Sequence, residues 1–390
     1  MTILERALAN LAKLQKKFAL PLVIFLLIIT IIVGSGITEV GVEGDMNKEF
    51  PQDLPIFKLN DKISNKLGGQ DSTLILLSLN NSHLSEATPR DIRNGEVLRY
   101  LINLENLLLQ ESSFDEVTSA STYLKKHSDK SNAYLETVAK NSPQLNSFFS
   151  DDYTKTIMFV TSDVGSGGDK VRALTDLIND KIESLGQPAG ISTVVTGTPQ
   201  LQVTIVDILK EDAMFTIALG SFLILILLFV IRRSLLKSLL IFIPLSVGLV
   251  WTLGTMGWLG IKLSIATVGI GAMILGLGVE YGVFMLERYE EERNNKSNQK
   301  KALQVAVSSV GSAILGSGLT TMSGFLALTV SILPLLQKLG FTLALGIFFC
   351  LISAIVVMPP VIILEEKFLH WQTLRTEKRI ARQKQTLREL

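Results

Sequence analysis

The chain lacks most of the side chains on which covalent chemistry and metal binding depend. Its 390 residues include one cysteine, Cys350, which lies in an apolar run, so neither a disulfide framework nor a thiolate metal site can be assembled. The three histidines, His83, His127 and His370, are too far apart in sequence to suggest a cluster, and no metal or cofactor is expected. A phosphate-cradling G-x-x-x-x-G-K-S/T run is absent, as is any hydrolase-type constellation, so the chain does not read as an enzyme. An excess of one charge is missing too, with 37 Lys and Arg against 36 Asp and Glu, and no nucleic-acid partner is expected.

That balance hides an asymmetry. Residues 41–210 carry 23 acidic and 16 basic groups, which leaves the remainder with an excess of about eight positive charges. The chain is 47% hydrophobic and 19% charged, with a mean hydropathy of +0.38. This is a membrane protein's composition with one sizeable soluble part.

Residues 1–17 hold Arg6, Lys13, Lys16 and Lys17 ahead of an apolar run at 18–37, long enough to cross a bilayer. It reads as a retained anchor, with Gly34-Ser35-Gly36 the sole hint of signal cleavage. Residues 41–210 have the hydropathy of a soluble domain. Within them, strands are expected at 72–79, 114–120, 153–161 and 191–196, and helices at 89–110, opened by Thr88-Pro89, and at 170–185. A helical insertion is expected at 121–149. The order β-α-β-β-α-β is the split βαβ of ferredoxin-like domains, an arrangement that hosts many functions.

Five further spans are expected at 213–231, 235–258, 263–286, 305–329 and 339–364, with a charged connector at 287–304 and a basic tail at 365–390. Six spans put both termini on one side. Arg232, Arg233 and Lys237, the 288–301 stretch and the tail put that side in the cytoplasm, with the acidic domain outside. The fold class is thus an α-helical membrane bundle of six transmembrane helices with an α+β domain inserted between helices 1 and 2.

One carboxylate, Glu280, sits inside the apolar fourth span, where an ionisable side chain costs several kcal/mol unless it faces protein or water. Met273, Gly276 and Phe284 share its helix face, and Gly278 with Gly282 forms a small-residue ridge one step round. Such a ridge brings a neighbouring helix close, and the fifth span offers hydroxyls at Ser317, Thr320, Thr321 and Ser323. Two readings stand open: a working acid, or a side chain snorkelling to the interface, six residues before the first connector charge. Tyr281 reads equally as an interfacial belt aromatic, and the hydroxyls as back-bonding groups.

The stretch Gly278-Val279-Glu280-Tyr281-Gly282-Val283-Phe284-Met285-Leu286-Glu287-Arg288-Tyr289 resembles the fourth-helix signature of the MMPL family, in the resistance-nodulation-division (RND) superfamily of transporters. Ser317-Gly318-Leu319-Thr320-Thr321-Met322-Ser323-Gly324-Phe325 resembles its fifth helix, and Leu339-Gly340-Phe341 with Met358-Pro359-Pro360 its sixth. The resemblance implies proton-driven export of a hydrophobic or lipid-like substrate, with Glu280 and Tyr281 in the place of the family's Asp-Tyr proton pair. The acid here is one methylene longer. Familiar members also hold two six-helix halves in one chain, so a homodimer, or pairing with a second half-transporter subunit, is expected. Two competing functions are a lipid-sensing or scaffold module without coupled transport, and a protein-translocation accessory.

Overall fold

The computed structural model describes residues 2–43, 49–51, 53–55, 58, 72–79, 91–162, 168–295, 297–369, 371, 372 and 375. Two compact units emerge: residues 1–43, 47–51 and 208–390 form one, and residues 44–46 and 52–207 the other.

The first unit opens with α1 (Ile3–Lys17), an amphipathic helix started by a reciprocal cap in which Thr2 and Glu5 bond each other's backbone amides. A bend at Phe18 leads into α2 (Ala19–Gly34), the first membrane helix, which is apolar all round. It ends in a 3₁₀ turn, Ser35–Glu39. The next residues run beside the loop before the fourth span: Leu263 donates to the Gly41 carbonyl at 2.8 Å, and Glu43 donates to the Leu263 carbonyl at 2.7 Å.

The second unit is a four-stranded antiparallel sheet backed by helices. Its strands are β1 (Thr73–Leu79), β2 (Glu116–Ser119), β3 (Lys155–Thr161) and β4 (Ile191–Gly197), ordered β2-β3-β1-β4. Alternate residues of β1 and β3 are buried, among them Ile75, Leu77, Met158 and Val160. They meet α3 (Gly95–Leu108) through Val97, Leu101, Leu104 and Leu108, and α6 (Gly168–Leu185) through Leu174, Ile178 and Ile182. The helix expected at 89–110 starts later because Asn94 caps Glu96, while Arg93 folds back on Asp91 and stacks over the Tyr153 ring. Thr88 and Pro89 lie outside the described residues. Two short helices, α4 (Ala120–Leu124) and α5 (Asn132–Asn141), carry the stretch expected as an insertion and build a satellite core on Leu135, Leu145 and Phe148.

Five more membrane-length helical stretches complete the chain. Helix α7 (Thr198–Arg232) runs 35 residues, so the span expected at 213–231 is its distal part. A tight turn with Arg233 at φ +50° leads to α8 (Leu235–Trp258). The fourth span differs from expectation at its start. Residues 263–269 are not helical: Leu263 pairs with the Gly41–Glu43 segment and Ser264 turns on the Thr267 hydroxyl, so α9 runs Ile270–Asn294. Hydropathy cannot register this, because an apolar turn and an apolar helix have the same composition.

After α10 (Gln299–Val305) comes one π-helical turn, Ala306–Val310, and then α11 (Gly311–Ala327). Helix α12 (Pro334–Val356) breaks at Val357 and resumes to Leu369. Helices α8, α9 and α12 form the centre of the bundle, and α2, α7 and α11 its largely exposed periphery. Close approach is bought by glycine at one crossing in particular: at Gly254 and Gly257 a Cβ would collide with the backbones of Val33 and Gly36.

Candidate functional site: a carboxylate-headed groove on the membrane bundle

Helix α9 has two unlike faces. One is buried, carrying Ile274, Gly278, Tyr281, Gly282 and Met285. The other leaves Met273, Gly276, Leu277, Glu280 and Phe284 exposed at helical spacing. Glu280 therefore projects from the outside of the bundle, whereas Tyr281, about 100° further round the helix, is only 1% exposed.

Between α9 and α11 runs a groove of about 360 Å³. From α9 it is lined by Glu280, Phe284, Glu287, Arg288 and Glu291, a strip at i, i+4, i+7, i+8 and i+11. Val310, Ala313, Ile314 and Ser317, at i, i+3, i+4 and i+7, face them from the π turn and α11, and Tyr281 contributes an edge. At 1.5 Å per residue the acidic strip is about 16 Å long. Glu280 stands at its apolar end and the charged continuation of α9 at the other.

The two ends differ in how their charges are met. Arg288 pairs with Glu291 at 2.7 Å and Glu292 at 2.9 Å. From the end of α7, Arg232 pairs with Glu287 at 3.2 Å and Glu290 at 3.7 Å, and Lys237 of α8 pairs with Glu290 at 2.7 Å. No hydrogen bond or ion pair joins Glu280 to another described residue. Among the described residues, no three His, Cys, Asp or Glu side chains are grouped to hold a metal ion.

The expected helpers divide. Ser317 reaches the groove. Thr320 and Thr321 both donate to the Ser317 carbonyl, at 2.6 and 3.1 Å, and Ser323 donates to the Leu319 carbonyl at 2.8 Å, so these three hydroxyls are satisfied within their own helix. The glycine ridge works, but against other neighbours than the fifth span. A Cβ at Gly278 would stand 2.8 Å from Cys350 Sγ and Leu245 Cδ1, and one at Gly282 3.0 Å from Ile241 Cγ2. These contacts draw α9 onto α8 and α12. Gly276, expected to pack a helix, meets nothing within 4 Å. It lies on the exposed face with Glu280, where no described residue comes within 4 Å of an added Cβ.

The MMPL family model matches residues 83–387. The chain belongs to the MMPL family. It is 34% identical over 364 residues to a membrane protein of Methanocaldococcus jannaschii, covering 91% of this chain and 92% of that one. Transport protein MmpL4 of Mycobacterium leprae is 22% identical over 369 residues, 92% of this chain but 35% of its own length. The siderophore exporter MmpL5 of Mycobacterium tuberculosis is 26% identical over 206 residues, 52% of this chain and 21% of its own. The matched stretches thus cover 35% or less of these mycobacterial relatives. It is a multi-pass MMPL protein with six candidate spans, from a family of transporters and exporters and not of enzymes.

In this MMPL protein, Tyr281, Phe284 and Ser317 belong to both the sequence motif and the groove, whereas Glu287, Arg288 and Glu291 were not singled out from sequence. Their signal was present, since Phe284, Glu287, Arg288 and Glu291 all fall on the Glu280 face by the 3.6-residue period. Reading them as connector charges concealed it.

Proposed function

We propose that this MMPL protein is a proton-driven secondary transporter of a hydrophobic or lipid-like substrate, working as a dimer of six-helix units, with Glu280 as the acid that takes and releases the proton and Tyr281 as its neighbour. One observation carries the reading: Glu280 stands uncovered on the outer face of the bundle, at the apolar end of the groove. A lone carboxylate on a lipid-facing helix costs about 2.5–3.5 kcal/mol on insertion scales, so a face like this calls for a cover.

The rest of that face favours a second helix bundle as the cover. Gly276, Gly316 and Gly324 meet nothing within 4 Å. Exposed Ser317, Thr320 and Ser323 lie alongside, and small and hydroxylated residues are what membrane helices use to approach one another. A second copy placed by a two-fold axis normal to the membrane sets two Glu280 side chains near each other, which supplies the repeat interface that transporters of this kind use. The six spans with their basic turns support cytoplasmic termini in the inner membrane, with the sheet domain outside. Its strand order supports a ferredoxin-like, porter-type domain.

The test is reconstitution into vesicles with an imposed pH gradient, with internal pyranine reporting protons and a fluorescent lipid analogue reporting substrate. Wild type is expected to couple the two fluxes and Glu280→Gln to lose both. Unchanged coupling in Glu280→Gln refutes the proton role, and a lipid-binding protein without flux in either form points to a sensing module instead. Native mass spectrometry from nanodiscs should give twice the 42.8 kDa of one chain. A strictly monomeric particle that still transports overturns the dimer.

A further inference from the structure

Helix α12 contains a defect that the chain repairs from a distance. Pro359 and Pro360 have no N–H, so the carbonyls of Ile355 and Val356, four residues earlier, lose their helical donors. The Ile355 carbonyl is supplied instead by a side chain 340 positions away: Gln15 of α1 donates its Nε2 amide at 2.8 Å. A carbonyl can only accept, so this contact also fixes which way the Gln15 amide is turned. Gln15 is 0% exposed, although it comes from a stretch rich in lysine.

The same helix touches the second irregular turn of the bundle. Leu8 packs at Gly311, where an added Cβ would stand 3.3 Å from Leu8 Cδ1, and α1 lies against the π turn Ala306–Val310. Val310, the last residue of that turn, lines the groove below Glu280. One short helix therefore braces the π turn of the fifth span and the proline break of the sixth, and such departures from α-helix cluster where helices move.

The bracing is incomplete in a telling way. Gln15 Oε1 is buried and has no hydrogen-bond partner among the described residues. An orphaned buried acceptor opposes the docked state, so the docked and released positions of α1 are closer in free energy than a fully bonded clamp would make them.

The outward side of α1 indicates what holds it down. Ile3 is 88% exposed and Leu14 55%, and Leu4 and Phe18 are exposed with them. Arg6, Lys13 and Lys17 are exposed beside these apolar side chains, and Lys17 lies over the Phe18 ring at 5.1 Å. A helix with apolar residues flanked by cations, continuous with a membrane span, fits an anionic bilayer surface.

We propose that α1 docks on anionic lipid headgroups and, while docked, uses Gln15 to hold the proline break of the sixth span closed, so that lipid charge sets the order of that break. The proposal is independent of the proton reading of Glu280 and needs no transport to test it.

The full-length protein is placed in nanodiscs of phosphatidylcholine with or without phosphatidylglycerol. A nitroxide at Leu14→Cys reports the outer face of α1, the buried Cys350 being shielded from the label. Amide hydrogen exchange over residues 355–364 reports the break. Anionic discs should immobilise the label at headgroup depth and lower exchange on the order of tenfold, the weight of a single net hydrogen bond. Triple reversal of Lys13, Lys16 and Lys17 to Glu should abolish that dependence, and these side chains are not in the core.

Gln15→Leu should raise exchange at 355–364 to the undocked level in either disc. Gln15→Glu should do so at neutral pH and recover protection in acid, where a protonated carboxyl can again donate. A label indifferent to lipid charge, or one that responds to protein-to-lipid ratio instead, assigns the face to another occupant and overturns the proposal. Unchanged exchange in Gln15→Leu, or failure of Gln15→Glu to respond to pH, overturns the clamp.

Discussion

The two sides of α9 carry the same kinds of residue to opposite ends. On the inner side Gly278 and Gly282 let Cys350, Leu245 and Ile241 touch the helix backbone. On the outer side a Cβ at Gly276, two positions before Gly278, would meet no described residue within 4 Å. Tyr281 is enclosed and its neighbour Glu280 is not. Glycine inside a helix loses stability relative to alanine, so it persists where a close contact returns more than that loss. The inner contacts are made within the chain. The outer side is where we propose that a second copy packs.

The contrast breaks most visibly at Gly278. Replacement by Leu forces a side chain into Cys350 and Leu245, and overpacking of this kind costs about 1–3 kcal/mol or more. Folded yield and thermal midpoint in detergent should fall sharply. A Gly278→Leu protein as stable as wild type would show that the inner side is not close-packed.

Gly276→Leu is the matched change on the outer side. Stability of the single chain should stay within about 0.5 kcal/mol, as for an uncrowded surface site. On the proposed dimer the fraction of dimer in nanodiscs should drop at least tenfold, because the new side chain takes the space that reading gives to the second copy. Loss of monomer stability with dimer intact would reverse the assignment of the two sides.

A smaller effect separates hydroxyls that line the groove from those that merely share its helix. Thr320→Val and Thr321→Val together remove two bonds to the Ser317 carbonyl that the helix itself does not require, and flux and stability should both change by less than about twofold, within about 0.5 kcal/mol. Ser317→Ala, at the groove, should have the larger effect on flux. Equal losses at all three would restore a relay role to the threonines.

The smallest effect sets a baseline from the sheet domain. Asp152 is an exposed carboxylate of the opposite kind to Glu280: Ser150 donates to it at 2.6 Å and Thr154 at 2.8 Å, and these hydroxyl bonds bring its pKa from 3.8 down to about 2. A folded pKa below the unfolded one means a stabilising contribution present above about pH 4 and lost as the pH falls towards 2. Acid titration of this domain by NMR should show Asp152 protonating last among its carboxylates, and Ser150→Ala should move that midpoint upward. A pH dependence of flux between 5 and 8 should be untouched by Ser150→Ala.

Much of this architecture was readable along the chain. Apolar runs of membrane length, alternating strands at 73–79 and 155–161, and basic turns are local patterns, because transfer of apolar surface from water adds up residue by residue. Errors came where composition is shared by different backbones. The apolar turn at 263–269 was read as helix, whereas the charged run after Leu286 was read as a helical continuation of the fourth span, which α9 carries to Asn294. The groove depended on that continuation.

Glu280, Tyr281 and the glycines were likewise visible as a motif, and the 3.6-residue period already divides them between two sides. Which side is covered is not in the period. It follows from α8 and α12 meeting Gly278 and Gly282 while α11 stands off from Gly276 and leaves a groove. Gln15 gives the sharper instance: nothing near it in sequence distinguishes it from a surface polar residue, and its burial arises because a carbonyl 340 residues away has lost its donor to a proline. Local pattern sets where the chain enters and leaves the bilayer; pairing between distant segments sets which polar groups are satisfied, since a hydrogen bond depends on positions in space that no single stretch specifies.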